Sequence, residues 1–503
     1  MNRRSTRATG AGLLAMVALA ACGGGSDEPE TSGNTLALAN VLDNNSFNPQ
    51  LLNIGNQAQY WSPVFDTLLI RDRDFELQPW LATDWSYNED LTELTLTLRD
   101  DVTFSDGTPF DGEAVKANIA NLAAGKGQNA YMAKSVAEVR VTSPTEVTIV
   151  LAQPDPAYLD YLASVGGVMA SPASLTAPTV GVTPVGSGPY VLDRANTVVG
   201  DAYTYVRSEN YWNAGEFAYD TVVIRPMSDI TARLNALKSG QINGAIADNS
   251  VVAEASGLRV NMSMVNWVGL ILADRDGVQV PAMKDLRVRQ AMNLAFDKEG
   301  MLEYVSEGNG QLTTQIFNQA SEAYDTSLDD DYGYDPERAK ELLAEAGYAD
   351  GFEITMAEGP GFAKYNAIIT QYLADIGITV NWVKIPASAV IPESLSGKYP
   401  VVFMTLGSQA AWQDVQKAVT PGGAWNMKHV ENAELSGLLQ AAQFAPIDDG
   451  GTAMKAVNKW LVDNAWFSPW YREQSIYLTD SGTAVAASPY VVAPPVYNFT
   501  PES

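Results

Sequence analysis

Residues 76–119, ELQPWLATDWSYNEDLTELTLTLRDDVTFSDGTPFDGEAVKANI, decide the fold, because a strand, a turn and a helix follow one another within them. Residues 94–98 alternate strictly between leucine and threonine, which predicts a strand with one buried face. Turn residues follow at 105–109, and a helix begins after them. The apolar residues of this helix that share one face are Ala114, Val115, Ile119 and Leu122.

The same succession of helix and strand returns further along the chain. In residues 228–246 an apolar stripe at helical spacing ends at Gly240 and leads into a strand. Residues 334–356 repeat the pattern with Asp335 as the helix cap, and residues 369–385 again place a strand after a helix. The alternation predicts an α/β protein.

The amino-terminal segment contains the single cysteine, Cys22. Basic residues, a short apolar core and small residues in 1–21 indicate a secretory signal, since the core is too short to span a bilayer. Residues 19–22, LAAC, resemble the lipobox of bacterial lipoproteins, which implies cleavage before Cys22 and a lipid-anchored protein on the extracytoplasmic face of the cell membrane. Residues 22–33 are rich in Gly, Ser and acid and predict a flexible tether. The alternative is an ordinary signal in which the cysteine falls by chance.

Composition excludes several classes of function. The formal net charge of −28 over 503 residues repels nucleic acid, so no nucleic-acid partner is expected. One histidine, His429, and one cysteine leave no ligands for a zinc site built on several His or Cys residues. Neither a G-x-S-x-G nor a phosphate-binding G-x-x-x-x-G-K-[ST] motif is present. We therefore expect no catalytic residue, no metal site and no cofactor.

Several stretches together resemble one family, the large solute-binding lipoproteins of ABC importers (bacterial solute-binding protein family 5), whose members carry peptides, nickel and other solutes. Residues 98–109, LRDDVTFSDGTP, are similar to the family segment in which a strand ending in L-R leads into G-V-x-F-x-D-G-x-P. VGSGPYVL at 185–192, ENYW at 209–212 and MKDLRVRQAMNLAFDKEGML at 283–302 are similar to further family segments. The matches cover most of residues 35–385 in the family's order.

The hallmark residues have a structural interpretation. Arg99, Asp106 and Gly107 are expected to brace a strand, a tight turn and a helix start without touching the solute. The same expectation holds for Arg287 and Arg289.

The resemblance implies a two-lobed α/β fold of the periplasmic-binding-protein type, type II, in the large class that has an extra subdomain in the first lobe. The first lobe would span residues 34–265, with the subdomain at about 65–182, and residues 475–503 would complete it. The second lobe would span residues 266–474. A solute bound between the lobes would close them about hinge crossings, and the permease in the membrane would recognise the closed form.

The solute class stays open at this point. Peptide-binding members have a tryptophan and an acidic, proline-containing segment in the second lobe, whereas residues 401–419 retain only Trp412 and Asp414. Asp414 is predicted either to pair with an ammonium group or to be a capping or surface acid. A lone histidine disfavours nickel, although a chelated metal needs no protein ligand. Eleven tryptophans favour aromatic walls suited to sugars, cations and aromatic solutes, and no basic patch favours a strongly anionic one.

Eight residues are the candidates for contact with the solute in the cleft. The candidates are Ser46, Phe47, Tyr60 and Trp61 in the first lobe and Ser408, Gln409, Trp412 and Asp414 in the second. Two alternatives to a receptor remain: a secreted lipoprotein enzyme such as a carboxylate-based glycosidase, and a sensor or adhesion module with the same fold. The expected partners of a receptor are a small-molecule or oligopeptide solute, ABC permease subunits and the bilayer.

Overall fold

The computed structural model describes residues 34–72, 76–127, 129–359, 362–386, 389–446, 449–486 and 490–502. The predicted signal and tether, including Cys22, lie outside these residues. Within the described ranges no helix combines the length and the apolar character needed to cross a membrane.

The chain combines strands and helices, as the sequence predicts, and a strand follows a helix at 230–247, 336–358 and 363–384. The strands are β1 (Thr35–Asn40), β2 (Leu69–Arg71), β3 (Leu77–Pro79), β4 (Ala82–Tyr87), β5 (Glu93–Leu98), β6 (Val136–Ser143), β7 (Glu146–Leu151), β8 (Tyr190–Leu192), β9 (Tyr203–Arg207), β10 (Thr221–Pro226), β11 (Gly244–Ala247), β12 (Arg259–Leu272), β13 (Gly310–Leu312), β14 (Phe352–Glu358), β15 (Ile378–Lys384), β16 (Val401–Gly407), β17 (Phe467–Thr479), β18 (Thr483–Val485) and β19 (Phe499–Pro501). The helices are α1 (Ala58–Trp61), α2 (Gly112–Ala124), α3 (Tyr131–Lys134), α4 (Tyr158–Leu162), α5 (Ile230–Lys238), α6 (Asn249–Val252), α7 (Leu286–Leu294), α8 (Lys298–Ser306), α9 (Pro336–Glu345), α10 (Ala363–Asp375), α11 (Val390–Ser394), α12 (Ala411–Ala418), α13 (Ala433–Gln443) and α14 (Gly450–Asp463).

One large sheet runs through both lobes in the order β16-β12-β17-β11-β1-β10-β9-β8, and β13 also pairs with β17. With the lobe bounds expected from the sequence, β1 and β8–β11 fall in the first lobe and β13–β16 in the second. The two long antiparallel strands, β12 and β17, belong to both lobes. Their register shifts between Ser263, which pairs with Ser475, and Asn266, which pairs with Glu473. On one side of the shift β17 pairs with β11, and on the other side β12 pairs with β16.

A four-stranded antiparallel sheet, β4-β5-β7-β6, adds a layer to the first lobe. In β5 the alternate residues Leu94, Leu96 and Leu98 are buried, which confirms the half-buried strand predicted from 94–98. The following helix, α2, begins at the cap Asp111, whose carboxylate accepts a hydrogen bond from the N–H of Ala114. The predicted apolar stripe of this helix is buried.

The hallmark residues brace the backbone, as the sequence predicts. The guanidinium of Arg99 donates to the Asp101 carboxylate at 2.7 and 2.8 Å and lies 4.0 Å from the centre of the Trp212 ring. Asp106 accepts from the Thr108 N–H at 3.0 Å and closes a turn in which Gly107 has φ of +84°. That backbone conformation favours glycine, since a side chain is strained there.

In the second lobe β14 and β15 pair in parallel, and α9 and α10 precede them in the chain as the sequence predicts. Asp335 caps α9 by accepting from the N–H of Arg338 at 2.9 Å. Leu342, Leu343 and Ile369 from these helices are buried in one apolar core with the strands. This packing fixes the lobe that provides the second wall of the site.

Candidate functional site

A cavity of about 1070 Å³ lies between the two lobes. Residues 53–55, 129–135 and 152–155 contribute to one wall, together with Tyr490. The opposite wall comes from residues 391–443. Val265 and Asn266 line the cavity at the register shift of β12, so the cavity lies where the chain crosses between lobes. Ligand sites of two-lobed proteins are commonly found at such interfaces.

A buried arginine lies next to β12 and close to the cavity. Arg472, on β17, has no exposed surface, and burial lowers its pKa to about 10. Its guanidinium donates to the Ser408 hydroxyl at 2.9 Å and to the carbonyl oxygens of Ile316, at 2.8 Å, and Phe317. The Ser408 hydroxyl in turn donates to Ile316 at 2.9 Å. Arg472 therefore ties the end of β16 to the loop after β13.

Three of the four candidates from the second lobe line the cavity: Ser408, Gln409 and Trp412. The hydroxyl of Ser408 is used inside the protein, as described above. Trp412 is 5% exposed, and its indole N–H has no hydrogen-bond partner among the described residues. That nitrogen is itself buried, so Trp412 contributes its aromatic ring to the lining.

The fourth candidate, Asp414, lies behind this wall and is buried. Its carboxylate accepts from the backbone N–H of Gln409 at 3.0 Å and pairs with Lys417 at 2.9 Å. Burial raises the pKa of Asp414, and Lys417 opposes that effect. Lys417 also donates to the carbonyl of Gly407 at 2.6 Å, so both charges of the pair are satisfied within the second lobe.

The four candidates from the first lobe lie outside the cavity lining. Phe47 and Tyr60 are buried and pack on Tyr203, with ring centres 6.4 and 5.0 Å from it. Ser46 accepts from a backbone N–H two residues further along, at 3.0 Å. The indole of Trp61 donates to the carbonyl of Asn53 at 2.8 Å and so supports a residue that does line the cavity.

Asp155 is the one acidic side chain among the described residues that line the cavity. The sequence analysis did not identify it. It follows β7 between two prolines, and its side chain is 6% exposed. Its Oδ1 accepts from the N–H of Ala157 at 3.3 Å. Burial raises the pKa of Asp155 to about 6, although the side chains of Ser135 and Gln416 and this N–H hold it below what burial alone produces. At neutral pH a buried carboxylate therefore faces the cavity in its ionised form.

Aromatic and amide side chains make up much of the remaining lining. The aromatic members are Tyr131, Trp412, Trp425 and Tyr490, and the amide members are Asn53, Asn129, Gln153, Asn266, Gln409, Gln416 and Gln443. Such a lining offers flat apolar faces together with donors and acceptors, which suits a polar organic molecule. Within the described residues no group of three or more His, Cys, Asp or Glu side chains is arranged to hold a metal ion.

Two hydrogen bonds join the walls across the cavity. The hydroxyl of Tyr161 in the first lobe donates to the side-chain oxygen of Gln416 in the second. The amide of Gln443 donates to the carbonyl of Pro154 at 2.8 Å. Both bonds hold the two walls in contact in this structure.

The sequence was compared with protein families and with known proteins, and both comparisons found matches. The family model of bacterial extracellular solute-binding proteins, family 5 (middle), matches residues 76–422. The glutathione-binding protein GsiB of Salmonella paratyphi A is 30% identical over 318 residues, which are 61% of this chain and 61% of that protein. The match thus spans less than two thirds of the relative's length.

Solved structures share the fold over almost the whole chain. HbpA2 from Haemophilus parasuis has a TM-score of 0.80 at 20% identity and covers 93% of this chain and 100% of its own. DppA from Helicobacter pylori, in complex with the peptide STSA, has a TM-score of 0.76 at 20% identity and covers 94% of this chain and 98% of its own. These similarities show the two-lobed fold.

Proposed function

The chain belongs to family 5 of the bacterial extracellular solute-binding proteins, and we propose that it is the solute-binding component of an ABC importer. The observation that carries the proposal is the cavity of about 1070 Å³ with one wall from each lobe. Its volume is large enough for an organic molecule of drug size, for which pockets of about 300–1,000 Å³ are usual. The protein would capture its solute there and deliver it to the permease subunits in the membrane.

Closure of the lobes is the working step of this proposal. We place the hinge at the register shift of β12 and β17, between Ser263 and Asn266 and between Glu473 and Ser475. This placement adopts the lobe boundaries expected from the sequence, 265/266 and 474/475. A solute that touches both walls favours the closed state by its differential affinity, and no bond is made or broken.

The lining supports a polar organic solute, and a peptide-like molecule is one candidate. One relative is named a glutathione-binding protein, and one structural neighbour holds a tetrapeptide. In this chain the ring of Trp412 offers an aromatic face to the solute. The amide side chains of both walls suit further donors and acceptors.

Hydrolysis of a glycosidic bond is not supported by the lining. A glycosidase of the usual kind needs two carboxyl groups that flank the bond, about 5–9.5 Å apart. The described lining contains one, Asp155, because Asp414 lies behind the wall in a pair with Lys417. A role in binding therefore fits the cavity better than a role in catalysis.

We further propose that Cys22 is the lipid attachment point and holds the protein on the extracytoplasmic face of the cell membrane. The support is the LAAC segment and the glycine-rich stretch after it. Mass spectrometry of the purified protein should find a diacylglyceryl group on an amino-terminal Cys22. The Cys22→Ser variant should appear in the aqueous phase of a detergent partition, and retention of this variant in the detergent phase would contradict the anchor.

The receptor proposal is tested by a thermal-shift screen of residues 34–503 against di- to pentapeptides, oligosaccharides, metal chelates and aromatic acids. A solute at 100 times its dissociation constant adds about 2.7 kcal/mol to the free energy of unfolding, which raises the melting temperature by a few degrees. Small-angle scattering with the stabilising solute should show a compact, closed molecule. If no class stabilises the protein and native mass spectrometry finds an empty cavity, the receptor proposal is wrong.

A further inference from the structure

We propose that the solute carries a positively charged nitrogen, of the primary ammonium type, and that this group docks against Asp155 of the first lobe. The inference rests on the proposed function, and it names the chemistry of the solute. It assigns the cation site to the wall opposite Asp414, the acid that the sequence suggested for an ammonium group.

Asp155 has no cationic partner in the part of the chain that the structure describes. Two other buried or half-buried acids near the cavities have one: Asp160 pairs with Arg71, and Asp414 pairs with Lys417. Among the described residues Asp155 takes part in no ion pair, and the groups against it are neutral. A buried carboxylate without a counter-charge is costly, since desolvation is not offset by attraction.

A cluster of tyrosines lies beside the carboxylate. Tyr131, which lines the cavity, and Tyr161 lie edge to face with centres 5.7 Å apart, and Tyr158 contacts Tyr161 at 6.0 Å. Burial raises the pKa of each of these tyrosines, and the charge of Asp155 adds to that effect, as does the charge of Asp414 at Tyr131, so the three hydroxyls remain neutral. The tyrosines therefore supply no counter-charge to Asp155, and of the three rings that of Tyr131 is the one that a cation in the cavity can reach.

The lysines that line the cavity do not supply the missing counter-charge. Lys417 is already bound to Asp414 and to the carbonyl of Gly407. Lys134 lines the cavity but is exposed to solvent and forms no ion pair with Asp155 among the described residues. The cation that completes the site therefore comes with the solute.

The geometry favours an ammonium over a guanidinium. Oδ1 of Asp155 already accepts the N–H of Ala157, so the carboxylate does not present two equivalent oxygens to the cavity. A guanidinium binds best through two parallel hydrogen bonds to both oxygens, whereas an ammonium binds as a point charge.

The experiment is a set of calorimetric titrations with matched probes at pH 7.5. The probes are dialanine, trialanine and cadaverine, their N-acetyl derivatives (mono- and di-acetylated for cadaverine), a neutral trisaccharide and a dicarboxylate. The proteins are the wild type, Asp155→Asn and Glu146→Gln. Glu146 is exposed at the start of β7 outside the lining, so its variant controls for the loss of one negative charge.

We expect at least one free amine to bind the wild type and its fully acetylated derivative to bind at least tenfold more weakly. Asp155→Asn should lose at least tenfold in affinity for the amine, and Glu146→Gln should stay within twofold of the wild type. If a neutral or anionic probe binds and the amines do not, or if Asp155→Asn binds the amine as well as the wild type, the ammonium site is wrong and the receptor function stands. If no probe of any class binds, both proposals fail.

Discussion

The empty protein should become more stable when Asp155 is replaced by asparagine. Burial raises the pKa of this carboxyl from 3.8 to about 6, which means that the folded state holds its proton more tightly than the unfolded state does. Two pKa units correspond to roughly 3 kcal/mol of free energy that ionised Asp155 removes from folding. An asparagine at 155 keeps an oxygen to accept the N–H of Ala157 and carries no charge, so most of that cost disappears.

The sign of the pH dependence follows from the same shift. For an acid whose pKa is raised on folding, the native state binds more protons than the unfolded state between about pH 4 and pH 6. The wild type therefore loses this part of its stability as the pH rises through that window, and the full cost is present above pH 6. The stability difference between Asp155→Asn and the wild type should be close to zero at pH 4 and reach its maximum at pH 7.

Differential scanning calorimetry of both proteins at pH 4, 5, 6 and 7.5 measures this difference. Other carboxyl groups affect the two proteins alike, so the difference isolates position 155. We expect a gain of a few degrees in melting temperature at pH 7.5 that fades towards pH 4. A variant that is less stable than the wild type at pH 7.5, or a difference that does not change with pH, would refute the reasoning that Asp155 is an uncompensated buried charge.

Three further substitutions test other parts of the site. Trp412→Phe makes the aromatic wall smaller, so the dissociation constant of the bound solute should rise about fivefold in calorimetry, and an unchanged constant would mean that the ring does not touch the solute. Gln416→Ala removes the acceptor of the Tyr161 hydroxyl across the cavity, and small-angle scattering should show a larger radius of gyration for the empty variant; an unchanged radius would mean that this bond does not hold the lobes together. Arg472→Met leaves the carbonyls of Ile316 and Phe317 without their donor, and urea unfolding should show a loss of roughly 3 kcal/mol, with a loss under 1 kcal/mol counting against its bracing role.

Local signals explain why the fold was predictable. Asp335 and Gly107 act through hydrogen bonds and backbone angles within a few residues of themselves, so their roles can be inferred without distant contacts. The pairing of β12 with β17 joins residues about 200 positions apart in the chain, and no local pattern specifies it. The family resemblance implied that the chain crosses between the lobes, but it did not say which strands pair.

The sequence predicted only those cavity-lining residues that follow the end of a strand, in the segment where members of the family have their cleft. Ser408, Gln409 and Trp412 follow β16 directly and line the cavity. Phe47 and Tyr60 are aromatic residues of the first lobe, but aromatic rings also fill protein cores, and both side chains are buried in one. Asp155 gave one weak signal, an acid between two prolines before a tyrosine-rich helix, and its burial depends on the opposite lobe.

That dependence on the opposite lobe links recognition to closure. Gln416 belongs to the second wall and lies against the Asp155 carboxyl, so closing the lobes removes water from this group. In the empty protein the closed state therefore carries the desolvation cost, whereas an ammonium group in the cavity supplies the missing counter-charge. If the whole cost of roughly 3 kcal/mol arises on closure, a cationic solute shifts the ratio of closed to open molecules by about two powers of ten. A neutral solute of the same shape leaves the cost in place, so one carboxylate both selects the charge of the solute and makes closure depend on it.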